Sequence, residues 1–236
     1  MISANRYMNT QAGNVLVIIL VAVALFAALS FVTSTMMRGG AQVGTEKAGI
    51  YVSEILTYAR SVNEAVRFMR VSNECDDEAM SFERSPYDGT DADYENANAS
   101  TDFSCHVFHP RGGGVAFSAM HSEIFDAAYN GDADYGQWVI SGFSKILGLG
   151  NDSRGELILA LPYLKKPICE ILAKRVGQSL PIPVDNVAGI DLTKFIGNYA
   201  SIETYDAVDD LMTGCINVTS GGSAQHYTFF SVLISR

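Results

Sequence analysis

The run from Val15 to Met37, VLVIILVAVALFAALSFVTSTMM, constrains this chain more than any other feature. It holds 23 residues and no charge, and no charged residue lies between Arg6 and Arg38. A helix rises about 1.5 Å per residue, so about 20 residues cross the roughly 30 Å of a bilayer's hydrocarbon. The run is long enough. Ser30, Thr33, Ser34 and Thr35 can return their hydroxyls to the helix's own carbonyls. The competing reading is a cleavable secretory signal, whose apolar core spans about 7–15 residues and ends at a small-residue site. Ala28-Leu29-Ser30 offers such a site, but Phe31-Val32 carries the apolar run past it. The expectation is therefore a retained, single-pass transmembrane helix over residues 14–38.

Arg6 precedes the run and Arg38 follows it, so the positive-inside rule does not orient it. The cysteines do. Cys75, Cys105, Cys169 and Cys215 are an even set without a C-x-x-C pair, and metal-ligand clusters need tighter spacing. Dispersed cysteines in an exported domain predict two disulfides and an oxidising, extracytoplasmic compartment. Three pairings are open. Cys75–Cys105 with Cys169–Cys215 is favoured, because each bond then encloses one subregion in chain order.

After Arg38-Gly39-Gly40 a second pattern begins. Within residues 46–71 the series Ile50, Ile55, Ala59, Val62, Val66 and Met69 follows the 3.6-residue period, with Glu54, Arg60, Glu64, Arg67 and Arg70 between. This predicts an amphipathic helix over 39–71. Gly39, Gly40 and Gly44 can bend the junction without ending it. The whole is one helical spine, apolar all round in its first half and striped in its second.

Residues 72–236 read as a globular domain, and they are long enough to bury a core. An acidic loop region over 73–104 comes first, with Cys75 and Cys105 at its ends. Val107-Phe108 and Val115-Ala116-Phe117 suggest two short strands around the turn Gly112-Gly113-Gly114. Trp138–Ile140 and Leu157–Leu161 are further strands, and residues 162–177 are helical, with Pro167 near the start and Gly177 after the end. Pro181 and Pro183 mark a linker, and 205–214 a short helix or turn. Tyr227–Ile234, apolar on both faces, belongs inside a sheet against the spine. The fold class is α+β: a long N-terminal helix packed on a C-terminal domain with an antiparallel sheet, tied by disulfides.

Composition limits the chemistry. The formal net charge of −10 disfavours nucleic acid as a partner, because phosphate binding needs Lys and Arg clusters. Cys105-His106-Val107-Phe108-His109 offers metal-type ligands, but a strand would send His106 and His109 to opposite faces and a disulfide would consume Cys105. Asp132 and Asp134 beside Gly136 are weak calcium candidates, as are Asp88, Asp91, Asp93 and Glu95. Neither group completes a 12-residue loop with a terminal Glu. Gly112-Gly113-Gly114 lacks the Lys-Ser/Thr of a phosphate loop, and no G-x-S-x-G elbow is present. The expectation is a non-enzyme without metal or cofactor.

The leader Met1–Gly13, the junction Gln11-Ala12-Gly13-Asn14, the apolar run and its amphipathic continuation together resemble type IV pilin-like proteins and pseudopilins over residues 1–71. The resemblance implies that a prepilin peptidase cuts after Gly13, leaving Asn14 as an N-methylated start. It implies a helix held in the bacterial inner membrane and later packed against other pilin-like subunits. The C-terminal domain would then lie in the periplasm or on an extracellular filament of a type IV pilus or type II secretion-like system. The sequence departs from the family pattern twice: Asn14 stands where Phe or Met is usual after the cut, and Ile18 stands at the fifth mature position where Glu is usual. Loss of that Glu suits a minor or tip subunit. The alternative is a membrane-tethered binding or sensing module of the cell envelope that is not processed as a pilin.

Overall fold

The helix predicted over 39–71 is α1, Gly39–Ser72, 34 residues long. It runs through Gly39, Gly40 and Gly44 without a break. Val52, Ile55, Ala59, Val62, Val66 and Met69 are buried, at steps of three and four residues that keep them on one face. Ile50 is the exception to the expected stripe: it is 67% exposed, and burial starts at Val52. The helix ends where the amides of Asn73 and Cys75 both donate to the Met69 carbonyl, with Glu74 in the left-handed region at φ 54°.

The structure is a computed structural model, and it describes residues 17–27, 39–84, 93–151, 153–185, 191–200, 203–219 and 226–236. The chain divides into two units, Met1–Lys47 and Ala48–Arg236. In the first, residues 17–27 are helical and their apolar side chains, Ile18 among them, are exposed. Among the described residues no helix is both long and apolar enough to cross a membrane. The run over 15–37 lies only partly within them.

The second unit is a mixed α/β domain around a six-stranded sheet. Its strands are β1 (Val139–Ile146), β2 (Glu156–Leu164), β3 (Val184–Asp185), β4 (Glu203–Tyr205), β5 (Thr213–Val218) and β6 (His226–Ile234). Helix α2 spans Lys166–Val176. The strand order is β3-β5-β6-β2-β1-β4. The four central strands are antiparallel, as expected, but both edges pair in parallel: β4 with β1, and β3 with β5. The expected antiparallel sheet is thus a mixed one, because β3 and β4 follow long connections that return them to the edges.

Alternation along β2 and β6 gives the sheet two buried faces. Leu157, Leu159, Leu161, Phe229 and Leu233 join α1 and α2 in the larger core. Ile158, Ala160, Phe230 and Val232 point the other way, into a smaller cluster with Tyr205 and Val208. This is why β6 reads as apolar on both faces. In the larger core, Trp138 lies 5.0 Å from the Tyr58 ring and edge-on to Phe229. Burial pushes the Tyr58 hydroxyl up to about 12.

The disulfides pair Cys75 with Cys105 and Cys169 with Cys215. The first ties the end of α1 to the loop that follows. The second ties α2 to β5, where the Gln178 side chain imitates a strand neighbour. Its Nε2 donates to the Cys215 carbonyl at 2.7 Å, and its Oε1 accepts from the Cys215 amide at 2.8 Å.

Four local expectations are corrected. Residues 107–117 do not form two strands. Gly113 N donates to His106 O, and Val115 N to Val107 O, but the segment stays in turns up to Gly113 and irregular backbone after it. Its partner is instead Ser81, whose carbonyl accepts from Val107 N. The helix expected over 162–177 starts at Lys166, because β2 continues to Leu164. Pro167 does stand in its first turn, and Gly177 closes it at φ 81°. The segment around Pro181 and Pro183 is packed rather than a linker: Ile182 is buried and Pro183 O accepts from Asn217 N. Within 205–214, turns cover only 207–210, and Thr213 already opens β5.

Candidate functional site: the helix face and the charged groove at its end

The glycine-rich turn earns its composition by proximity to α1. A Cβ on Gly113 would stand 2.6 Å from the Val107 carbonyl oxygen and 2.8 Å from the Ala65 Cβ. A Cβ on Gly112 would collide with the His106 carbonyl oxygen. The turn therefore presses its backbone on the helix, a use of glycine that has nothing to do with phosphate.

On the exposed side of α1, Ser53, Thr57 and Ser61 donate to the carbonyls of Gly49, Ser53 and Thr57, four residues back. Their hydroxyls are satisfied within the helix. Ile50, Phe68 and Val71 are exposed on the same element. The described part of α1 thus buries one stripe in its own domain, and its exposed residues mix these with the charged Glu46, Lys47, Arg60, Glu64, Arg67 and Arg70.

At the end of α1 lies a groove of about 1080 Å³, lined by Arg67, Arg70, Glu74, Asp77, Glu78 and Arg236 among others. Arg70 Nε is 2.7 Å from Asp77 Oδ1, and Arg236 Nη1 is 3.4 Å from Asp77 Oδ2. Arg154 Nη1 reaches Glu78 at 3.2 Å. The Arg236 side chain is 9% exposed, and its guanidinium lies 4.0 Å over the Tyr199 ring. Tyr199 donates from its hydroxyl to the Asp77 carbonyl, and burial, helped by the Asp77 charge, pushes that hydroxyl well up. Opposite charges meet here and hold helix, loop and last strand together. The cysteine that lines the groove, Cys75, is in a disulfide and offers no free thiol there.

The remaining candidates are dispersed. His106 is buried with Nε2 3.7 Å from Glu83, and it meets the edge of Phe103 while His109 stacks on the same ring. The two histidines therefore share one aromatic neighbour rather than facing apart. Burial, with the nearby His109, holds His106 below the usual imidazole range. His121 lies against Tyr51 and Glu54, and His226 against Tyr129 and Tyr163, where burial again lowers its pKa.

The weak calcium candidates are engaged elsewhere. Asp134 is ion-paired with Lys194, which occupies the place a cation would take, and Asp132 stands in a turn. Among the described residues no group of three or more His, Cys, Asp or Glu side chains could hold a metal. Asp88 and Asp91 fall outside the described residues, as do Gly13 and Asn14.

The Arg70–Asp77–Arg236 network escapes sequence reasoning because it joins a helix end, a short turn and a strand end with no shared spacing. No family model matches the chain, and no curated protein or solved structure is found to be similar to it.

Proposed function

We propose that this chain is a pilin-like structural subunit, of the minor or tip kind, in a type IV pilus or type II secretion-like filament. It would be inserted in the bacterial inner membrane before assembly. One observation carries the reading: a charge-free run of 23 residues is followed at once by a 34-residue helix that stripes into its own domain. A helix of that order can sit in lipid at one end, dock a domain at the other, and exchange lipid for neighbouring helices. The hydroxyls of Ser53, Thr57 and Ser61, satisfied within α1, support close packing on that side. The two disulfides support an oxidising compartment. Ile18 in place of an acidic residue supports a position without the usual partner amine.

The test is the N-terminus of the chain recovered from membranes that contain a prepilin peptidase. Mass spectrometry is expected to find a start at Asn14, with or without a methyl group. A start at Met1, or after a cut near Ser30, would remove the filament reading.

A second reading, a membrane-tethered binding or sensing module of the cell envelope, is favoured by Asn14 and Ile18 themselves, which depart from the processed pattern. It predicts an intact Met1.

A further inference from the structure

A second groove, of about 560 Å³, runs along α1 beneath the end of α2. It lies wholly within residues 56–232, so it does not depend on processing at Gly13. Its charge is out of character with the molecule. The chain carries a formal net charge of −10, yet three guanidiniums, Arg60, Arg67 and Arg175, line this groove against one carboxylate, Glu64.

Among the described residues those charges meet no carboxylate. At the end of α1, Arg70, Arg154 and Arg236 all meet carboxylates. Among the described residues neither Arg60 nor Arg67 has a carboxylate within 4.0 Å, although Glu64 is four residues from one and three from the other. Among the described residues Arg175 hydrogen-bonds a neutral hydroxyl, Ser53, at 3.4 Å and no carboxylate. The neutral polar groups are already engaged: Asn63 donates to the Val232 carbonyl, and the Thr213 and Ser231 hydroxyls pair at 3.1 Å. The free recognition capacity is therefore cationic and forked, which suits carboxylates. Leu56, Ala59, Val176 and Met212 supply apolar surface between.

Spacing selects the form of the ligand. Arg60 and Arg67 are seven residues apart, about two helical turns, so they share a face with a separation of about 10 Å. An extended polyproline-II segment has three residues per turn and a rise of about 3.1 Å, so its positions i and i+3 point the same way about 9 Å apart. A membrane surface or a nucleic acid is a poorer match, because the groove is concave, carries few cations and has Glu64 inside it.

We propose that this groove docks an extended acidic peptide segment of a partner protein, with two carboxylate side chains three positions apart set against Arg60 and Arg67. Arg175 closes the helix-α2 end and favours negative charge along the segment.

The test uses the full chain in detergent micelles and fluorescence polarisation of a labelled hexapeptide carrying two glutamates three positions apart, with proline and leucine between. That peptide is expected to bind at least about tenfold more tightly than its glutamine counterpart, and to weaken as salt is raised. It should also bind more tightly than a peptide with the glutamates adjacent. Arg60→Gln and Arg67→Gln should each weaken binding about tenfold. Lys174→Gln, exposed nearby but outside the lining, should leave it unchanged. Circular dichroism melts confirm that each variant folds. Should Arg67→Gln fail to fold, Arg67→Lys keeps the charge, loses the fork, and is expected to bind several-fold more weakly. Equal binding of the glutamine or adjacent-glutamate peptide overturns the proposal, and so does indifference to both arginine substitutions. Displacement of the peptide by phosphatidylglycerol vesicles or oligo-dT at matched charge would reassign the groove to lipid or nucleic acid.

Discussion

The side-chain amide of Asn63 donates to the main-chain carbonyl of Val232 at 3.0 Å, joining the first helix of the domain to its last strand across 169 positions of sequence. The bond is part-buried, so water replaces it incompletely. Asn63→Ala is expected to cost about 1–2 kcal/mol, measured as the change in unfolding free energy by urea titration. An unchanged midpoint would mean that the bond contributes nothing net.

Gly113 and Gly49 should respond in opposite directions to the same substitution. Gly113→Ala forces a methyl between the Val107 carbonyl and Ala65, and an expected loss of about 2 kcal/mol follows from overpacking. At Gly49 the added methyl meets only an Arg175 nitrogen at 3.8 Å, an ordinary contact. Gly49→Ala is expected to stabilise the helix by up to about 1 kcal/mol. Paired thermal melts decide both, and a stabilising Gly113→Ala would refute the close approach.

The disulfides close loops of 30 and 46 residues. In the chain-entropy picture each contributes about 4 kcal/mol by restricting the unfolded chain. Replacing Cys169 and Cys215 together by serine should also release α2 from β5. Its cost is expected to match or exceed that of the Cys75/Cys105 pair. Denaturation under oxidising and reducing conditions measures the two contributions, and the double variants separate them.

Acid should weaken the domain through two histidines. Burial lowers the pKa of both His106 and His226 below the unfolded value of about 6.5. Above that value both states are neutral and nothing is lost. As pH falls through about 6.5 the unfolded chain takes up protons first, and stability drops until the lowered folded values are passed. The nearby Asp102 and Asp132 charges act against the shifts without reversing them. The melting temperature is expected to fall between about pH 7.5 and pH 5, and the fall should be shallower in His106→Gln. A profile that rises toward acid would contradict the burial argument.

What could be read in the sequence was what repeats. The stripe up to Met69 follows a period of 3.6, and Tyr227–Ile234 is an unbroken run rich in aromatic and β-branched residues, so both stood out. Pro167 and Gly177 bracketed α2 through their backbone geometry. The strands β3 and β4, of two and three residues, have no period to detect and exist only because β5 and β1 offer them an edge. The turn around Gly112 looked like a hairpin because glycine marks both tight turns and close packing. Only the position of Ala65 distinguishes them. Both grooves were invisible, since each gathers residues from opposite ends of the chain. Arg60 and Arg67 looked like an ordinary solvated helix face until Met212 and Arg175 were placed beside them.

The last strand of the sheet in chain order is also one of its inner ones, held between β2 and β5. The consequence is one of timing. Until β6 is in place, β2, β1 and β4 can assemble only a partial sheet with β2 unpaired on one side. β3 and β5 can do no more than wait as a detached pair. Insertion of β6 joins the two pieces, covers the open rim and brings Val232 to Asn63 in a single late step. A sheet organised this way is complete only once β6 is in place.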